Sequence, residues 1–483
     1  MRARPLLFLL ALSAFAVAQI KRPEKVLIED GGVPVYRTWL ADDVRWIIRP
    51  EEQAAFRQLQ NDEERDNFVE QFWTRRDPTP DTEENEYKDE HYRRLFYANE
   101  QFGEKVAGRL TDRGRAYARY GRPDSRESFN AADGAPIERW RYRYIEGIGQ
   151  EQILEFRDEC YCGDFKQVSG PSAPPGESGI AHGPRTDQPP LPRSQLYKPP
   201  SVRFKDFEGI VSHHIEMKLV PFGVRVDFAN VTPFTDLVPV TISFNNRDLN
   251  WREENDKATM QVNIFGRLTT LTGRIAQTFE ASVTDSVSVI QLPESYHRTH
   301  DYWKVLALRP GRYRLDLVVH DVNADKIGTW SRGIVVPGFP IDEFAASPVI
   351  MASALATPKK VFESFVLGNS TIHPRVAAGD DNFPVFRADE KIYLWFQIYG
   401  LATDAKGNHA SALVEYTLVK QEKKSPAPLK LSDLEGTAAG SQITVRKEVP
   451  LWGFEPGDYR LTIRTEDRTT HANVTQSALF RVQ

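Results

Sequence analysis

Asp77, Asn85, Glu86, Arg93, Thr111, Asp112 and Arg113 fall in one stretch of the chain and mix carboxylates, guanidinium groups, a hydroxyl and an amide. Two kinds of chemistry are open to such a set. Converging carboxylates and arginines would line a cleft for an anionic or carbohydrate ligand. They would do acid–base work on a glycosidic bond if two carboxyls stood about 5–9.5 Å apart. Alternatively the groups satisfy one another, Asp112 accepting backbone N–H bonds in its turn and Arg93 or Arg113 bridging helix to sheet. Residues 72–126 carry 12 Lys/Arg and 11 Asp/Glu. That interleaving favours internal pairing, so no residue is assigned a catalytic role.

Cys160 and Cys162, the only two cysteines, flank Tyr161. Positions two apart on an extended strand are about 6.6 Å from Cα to Cα, the upper edge of disulfide geometry. A turn at Gly163-Asp164 would permit a strained disulfide, which is the leading expectation. Redox exchange and metal ligation are the alternatives, and two sulfurs without a nearby His make an incomplete zinc site. His213-His214 and His297-x-x-His300 have no acidic partners at metal spacing and are expected on the surface. No cofactor or metal is expected.

The elements that must position these groups begin as helices. Pro50-Glu51-Glu52 opens one, with Phe56 and Leu59 inward. Asn61 followed by Glu64 caps the next, whose inner stripe is Phe68, Val69, Phe72 and Trp73. Pro78 and Pro80 stop it. Asp81 with Glu84 restarts helix, with Tyr92, Leu95, Phe96, Asn99 and Phe102 inward and the pairs Asp89/Arg93 and Glu90/Arg94 outward. Arg115 to Tyr120, Ile137 to Tyr144 and Gln152 to Phe156 then read as three antiparallel strands. Arg139, Arg141 and Arg143 share one face there, expected solvated, and Trp140, Tyr142 and Tyr144 the other.

Residues 19–165 thus make an α+β domain of helices plus a three-stranded antiparallel meander. Residues 166–203, rich in Pro, Gly and Ser, read as a linker. From Phe204 the chain reads as strands and repeats itself. Pro310-Gly311, Tyr313 and Asp321 recur at a constant offset as Pro456-Gly457, Tyr459 and Asp467, and Val240 to Phe244 has a counterpart in Ile392 to Phe396. A Tyr opening an alternating strand after Pro-Gly is the signature of a tyrosine corner. Two all-β immunoglobulin-like sandwiches, 204–340 and 341–483, are expected.

Arg2 and Arg4 precede an apolar run, Leu6 to Ala18, ending Ala16-Val17-Ala18. Residues 1–18 therefore read as a cleavable secretory signal, too short to span a bilayer. The expected place is the periplasm, the cell envelope or the medium, with no transmembrane segment in the mature chain. A net charge of -5 over 483 residues argues against nucleic acid as a partner. An envelope protein or glycan is the partner class expected.

Phe72-Trp73 through Arg76-Asp77-Pro78, then Asn85-Glu86, Tyr92-Arg93, Ala98-Asn99, Phe102, Gly108 to Arg115, Tyr117 and Tyr120 to Asp124 together resemble the GWxTD domain family. The resemblance implies an exported bacterial protein with a β-rich region behind this domain, and implies no particular reaction. The chain departs from the pattern at its Trp, where Arg109 stands. A non-enzymatic binding or interaction protein is therefore expected, with a carbohydrate or peptide hydrolase as the alternative.

Overall fold

The computed structural model describes residues 33–80, 82, 84–103, 106–171, 204–339, 343–358, 365–377, 383–403, 410–421, 429–437 and 440–483. The expected signal segment and residues 172–203 of the expected linker lie outside them, as does the expected helix start at Asp81.

Helix α1 (Val33–Thr38) runs into a π-helical turn, Trp39–Asp43. Then come α2 (Pro50–Arg57), α3 (Asp62–Thr74) and α4 (Glu86–Phe102). A short 3-10 turn, Gly108–Leu110, leads into α5 (Asp112–Tyr120). Three side chains start helices by accepting an orphan N–H: Asn61 from Glu64 at 2.9 Å, Asn85 from Lys88 at 2.9 Å and Thr111 from Gly114 at 3.0 Å. The expected strand at Arg115–Tyr120 is therefore helix. The Thr111 cap begins it, and Gly121, at φ +75°, closes it in a backbone region that favours glycine.

Strands β1 (Ser125–Asn130), β2 (Pro136–Ile145), β3 (Gly149–Arg157) and β4 (Lys166–Ser169) form an antiparallel sheet in that order. The sheet has four strands, not three, and its last lies in the stretch expected as linker. Gln167 N–H, donated to Asp112 at 2.9 Å, fixes that strand to the start of α5. Trp140, Tyr142, Leu154 and Phe156 pack against Ala98, Phe102, Ala116 and Tyr117 of the helices.

After the undescribed segment, α6 (Lys205–Ser212) lays Phe207 and Val211 on Phe265 and Val318, a helix where strand was expected. The first sandwich contains β5 (Gly223–Val226), β6 (Ala229–Thr232), β7 (Thr235–Asn245), β8 (Arg252–Glu254) and β9 (Lys257–Thr270). It continues through β10 (Ile275–Ser288), the short helix α7 (Leu292–Ser295), β11 (Thr299–Leu308), β12 (Gly311–Asp321) and β13 (Lys326–Val336). One sheet is ordered β10-β9-β12-β13 with β8 on β9. The other is β11-β7-β5 with β6 on β7.

The second sandwich has β14 (Ala345–Ala346), β15 (Ile350–Ala356), β16 (Val366–Leu367), β17 (Ser370–Pro374), β18 (Val385–Phe386) and β19 (Lys391–Tyr399). It ends with β20 (Ala410–Lys420), β21 (Leu429–Thr437), β22 (Ile443–Pro450), β23 (Gly457–Asp467) and β24 (Asn473–Val482). Its sheets are β14-β19-β15-β17-β16, with β22 on β19, and β18-β24-β23-β20-β21.

The sequence repeat maps onto equivalent strands, β12 and β23. Tyr313 Oη donates to Arg309 O at 3.0 Å, and Tyr459 Oη to Glu455 O at 2.9 Å. The repeated Asp at each strand end holds a distant loop. Asp321 accepts from Asn250 N at 2.8 Å and Asp467 from Ala402 N at 2.9 Å. Tyr313→Phe and Tyr459→Phe should each lower the urea midpoint by an amount worth about 1 kcal/mol, one hydrogen bond. No change in either would show that the phenols hold nothing.

The sandwiches do not hang free of the helices. Val240, Ile242 and Leu317 fill the first sandwich, and Leu394, Phe396 and Ile463 the second. The opposite faces of their central strands join a third core. Leu237, Phe234 and Ala307 from one sandwich and Ile350, Ile372 and Trp395 from the other pack with Trp39, Phe72, Trp73, Leu95 and Phe96. Burial of β7 and β19 on both faces makes the helical unit a wedge between two sheets.

Candidate functional site

The turn between α3 and α4 holds the first part of the polar set. Asn85 caps α4 and donates through Nδ2 to Trp73 O at 2.7 Å, closing the turn on α3. Asp77 accepts from Thr79 N at 2.9 Å, and Thr79 Oγ1 donates to the exposed Glu86 carboxylate at 2.6 Å. Burial pushes the Asp77 carboxyl up to about 6, and the charges of Glu86 and Asp89 add to it. Arg93 pairs with Glu90 at 3.0 Å, and so does Arg94 at 2.8 Å. Asp89, expected to pair with Arg93, instead meets Lys304 of β11 at 3.0 Å, with Glu84 at 2.8 Å on the same amine. Burial alone would lower the Lys304 pKa, but Asp89 and Glu84 hold it above the ordinary lysine range.

Thr111, Asp112 and Arg113 lie elsewhere. Their segment packs on Ala98 and Asn99, near the far end of α4 from Glu86. At 1.5 Å per residue that is about 20 Å along the helix. A Cβ on Gly108 would lie 1.9 Å from Ala98 O, and one on Gly114 1.8 Å from Gly108 O, so only glycine permits this approach. Thr111 Oγ1 donates to Gly108 O at 2.8 Å while capping α5. Asp112 accepts from Gln167 N across the fold rather than within its own turn, and pairs with Arg115 at 3.3 Å.

Arg113 is buried and reaches Glu138 of β2 at 3.0 Å and Gly163 O at 3.3 Å, with its guanidinium 4.1 Å from the Phe165 ring centre. Burial would raise the Glu138 carboxyl, yet Arg126, Trp140 and Arg113 together hold it below its ordinary value. Arg109 is buried as well. It donates through Nη2 to Asp42 at 2.7 Å, its N–H goes to Asn99 Oδ1 at 3.1 Å, and its carbonyl accepts from Trp46 Nε1 at 2.8 Å.

The structure thus gathers Asp77, Asn85 and Glu86 at one end of α4, and Thr111, Asp112 and Arg113 at the other. Glu86 and Asp112 form no catalytic pair, since about 20 Å is twice the widest glycosidase spacing. The outward arginines of the sheet are paired too: Arg139 with Glu155 at 2.7 Å, Arg141 with Glu151 at 2.6 Å and Arg143 with Asp124 at 2.7 Å. Trp140 and Tyr142 are buried beneath them, while Tyr144 is exposed. His213 Nδ1 donates to Gly209 O of its own helix, and His300 stacks on Phe244.

Several buried polar groups had no signal in the sequence. Asp43 Oδ2 accepts from Tyr92 Oη at 2.8 Å and Thr235 Oγ1 at 2.7 Å, tying the first helices to β7. Burial pushes it up to about 6. His91 Nε2 meets the Asp43 carbonyl at 2.6 Å, and burial lowers its pKa to about 4. Asp236, bonded to Asn230 and Gly338 N at 3.0 Å each, is pushed by burial to about 7. Asn99 Nδ2 donates to Val231 O at 2.7 Å in the first sandwich. Its neighbour Glu100 accepts from Asn369 N at 2.6 Å and Thr444 Oγ1 at 2.7 Å in the second. Burial raises the Glu100 carboxyl. The one sequence clue was Asn99, a polar residue inside the apolar stripe of α4.

Cys160 and Cys162 are joined as a disulfide with Cα atoms 5.1 Å apart. Tyr161, at φ +53°, makes the turn between them, ahead of Gly163 at φ +88°. Asp158, Cys160 and Cys162 are the one group of three metal-type ligands with atoms within 4.8 Å among the described residues.

Residues 20–159 match the GWxTD domain family. The chain carries a GWxTD domain. Arg109, at the place of the family's Trp, shows what this GWxTD domain does with that position: a buried ion pair to Asp42. No curated protein matches the chain. Among solved structures, a red sea bream transglutaminase is 10% identical with a TM-score of 0.15, over 80% of this chain and 44% of that one. A calcium-binding mutant of Bacteroides uniformis beta-glucuronidase 2 is 10% identical with a TM-score of 0.19, over 51% of this chain and 26% of that one. The chain thus spans less than half the length of either, and such scores carry no argument about fold or activity.

Proposed function

We propose that the chain is an exported, non-enzymatic envelope protein. Its GWxTD domain is the hub that fixes two immunoglobulin-like sandwiches in one arrangement, so that together they present a binding surface to a protein or glycan partner. The observation that carries this reading is on α4, where adjacent Asn99 and Glu100 bind different sandwiches. The motif's other polar groups serve the same end, capping helices and bridging them to the sheet rather than lining a cleft. The tyrosine bonds of β12 and β23 support the immunoglobulin-like character. Arg2, Arg4 and the apolar run Leu6 to Ala18 support export, and no described helix is long and apolar enough to cross a membrane.

The alternative is a hydrolase acting on envelope carbohydrate or peptide. It is favoured by one observation, the raised Asp77 carboxyl beside the exposed Glu86. Crosslinking pull-down from the native envelope, paired with hydrolysis assays on glycan and peptide libraries, separates the two. The expected result is one reproducible partner or glycan and no hydrolysis. Hydrolysis that disappears in a Glu86→Gln variant of unchanged thermal midpoint would overturn the hub reading.

A further inference from the structure

The disulfide between Cys160 and Cys162 is a poor candidate for a structural staple. It closes a loop of only three residues, so it removes little entropy from the unfolded chain. The loop is also held without it. Asp158 accepts Cys162 N–H at 3.2 Å through Oδ1 and Gly163 N–H at 2.8 Å through Oδ2. The Asp158 N–H donates to Pro136 O at 3.0 Å, and Tyr161 Oη donates to Asp133 O at 3.1 Å. Arg113 and the Phe165 N–H both donate to Gly163 O, at 3.3 and 3.0 Å. Two cysteines on so firm a frame stay within bonding reach whether joined or not.

Access and electrostatics give the pair a use. Cys160 is exposed and Cys162 half-buried, so an incoming sulfur meets Cys160 first. Asp158 is 3% exposed, and its Oδ1 lies 3.2 Å from Cys160 Sγ. In the disulfide that oxygen keeps the Cys162 N–H but meets only lone pairs at Cys160 Sγ, which has no hydrogen to donate. Once Cys160 is a thiol, its S–H donates to the carboxylate. The reduced form therefore gains a hydrogen bond that the oxidised form lacks, and a disulfide whose reduced form is favoured is an oxidant.

We propose that Cys160 and Cys162 form a surface thiol–disulfide exchange site that oxidises thiols of peptides or proteins, with Asp158 positioned to stabilise the reduced pair. A substrate thiolate attacks Cys160 Sγ and the Sγ–Sγ bond breaks. Cys162 leaves as a thiolate and takes a proton from water. A second substrate thiolate then attacks the substrate sulfur of the mixed disulfide and releases Cys160, which is protonated from water and donates to Asp158. Two electrons pass from two substrate thiols to the pair, and the substrate leaves as a disulfide. A low-molecular-weight disulfide, reduced to two thiols in the reverse exchange, restores the site.

The test equilibrates the purified full-length chain with graded mixtures of glutathione and glutathione disulfide, traps free thiols by alkylation and reads the mass. The pair should titrate reversibly, with the same thermal midpoint in both states. Asp158→Asn should shift the half-reduced ratio about tenfold toward the disulfide, equivalent to about 30 mV. Mixed disulfide quenched early in the reduction of the unaltered chain should carry glutathione on Cys160 rather than on Cys162, located by peptide fragmentation, a readout that leaves Asp158 untouched. A pair that stays oxidised in excess glutathione, a reduced chain that unfolds, or glutathione found equally on both cysteines would overturn the proposal. So would a folded Asp158→Asn variant with an unshifted ratio.

Discussion

Arg109→Ala should lower the stability of the helical unit by about 3–5 kcal/mol, the loss expected when a buried ion pair is broken from one side. Asp42 and Arg109 are 8% and 6% exposed and meet at 2.7 Å. Removing the guanidinium leaves a carboxylate away from water with its cation gone, and that desolvation is the larger part of the effect. The Arg109 backbone already binds Asn99 and Trp46, so the segment keeps its place and the pair's side chains carry the difference. Urea unfolding followed by tryptophan emission reads it. Arg109→Trp, which writes the family's residue into this chain, should destabilise too, because an indole cannot neutralise Asp42. Adding Asp42→Asn should recover about 1–3 kcal/mol in either background, the coupling expected of contacting residues. An unchanged midpoint in Arg109→Ala, or strictly additive effects with Asp42→Asn, would show that the pair is not what holds this segment.

How far such features could be read beforehand depends on the range over which they act. Asn61 and the apolar stripes of α3 and α4 are local signals, and the helices stand where those residues put them. The stretch Arg115-Ala-Tyr-Ala-Arg-Tyr120 alternates as a strand does, yet it is helix. Its cap, Thr111, acts from outside the alternating window and decided the matter. Strand β4 was hidden because four residues have no period. It exists because β3 offers an edge and Asp112 accepts the Gln167 N–H. Burial of β7 and β19 on both faces was not legible, because Asp236, Thr241, Ser243 and Gln397 interrupt their apolar residues. The candidate site divided along the same line. Asn85 and Thr111 are caps written within three residues of their partners. Asp43 with Thr235, or Glu100 with Thr444, are joined across hundreds of residues, and only the folded chain brings them together.

The same buried carboxylates set the sign of the chain's response to acid. Asp236 is pushed up to about 7 by burial, and its contacts are Asn230 and the Gly338 N–H rather than a cation. Above that pH both folded and unfolded states carry the ionised group, and the full desolvation penalty opposes folding. Between about 7 and the unfolded value of 3.8 the folded chain holds a proton that the unfolded chain has released, so stability rises as pH falls. The gain is roughly 4 kcal/mol, at about 1.36 kcal/mol per unit. Asp43, raised to about 6, contributes in the same direction over a narrower window. His91 opposes it. Its folded pKa is lowered to about 4, so the unfolded chain binds a proton first below about 6.5, and stability is lost as pH falls toward 4. Asp43 and His91 roughly cancel, so the slope is set by Asp236, with Asp77 and Glu100 raised in the same direction beside it. Below the ordinary glutamate value of 4.5 the unfolded chain takes up protons while Glu52 and Glu138, held low by their arginines, stay ionised in the fold, and stability is lost again. Urea midpoints should therefore climb from pH 8 to about 5. Asp236→Asn should flatten the climb, its stability relative to the unaltered chain falling by roughly 4 kcal/mol between pH 8 and pH 4. A chain most stable above pH 7, or an Asp236→Asn profile parallel to the original, would show that Asp236 keeps its ordinary acidity in the fold. The sign belongs to burial itself: a carboxylate enclosed among amides and hydroxyls favours its protonated form, and the folded chain gains whenever the solution supplies that proton.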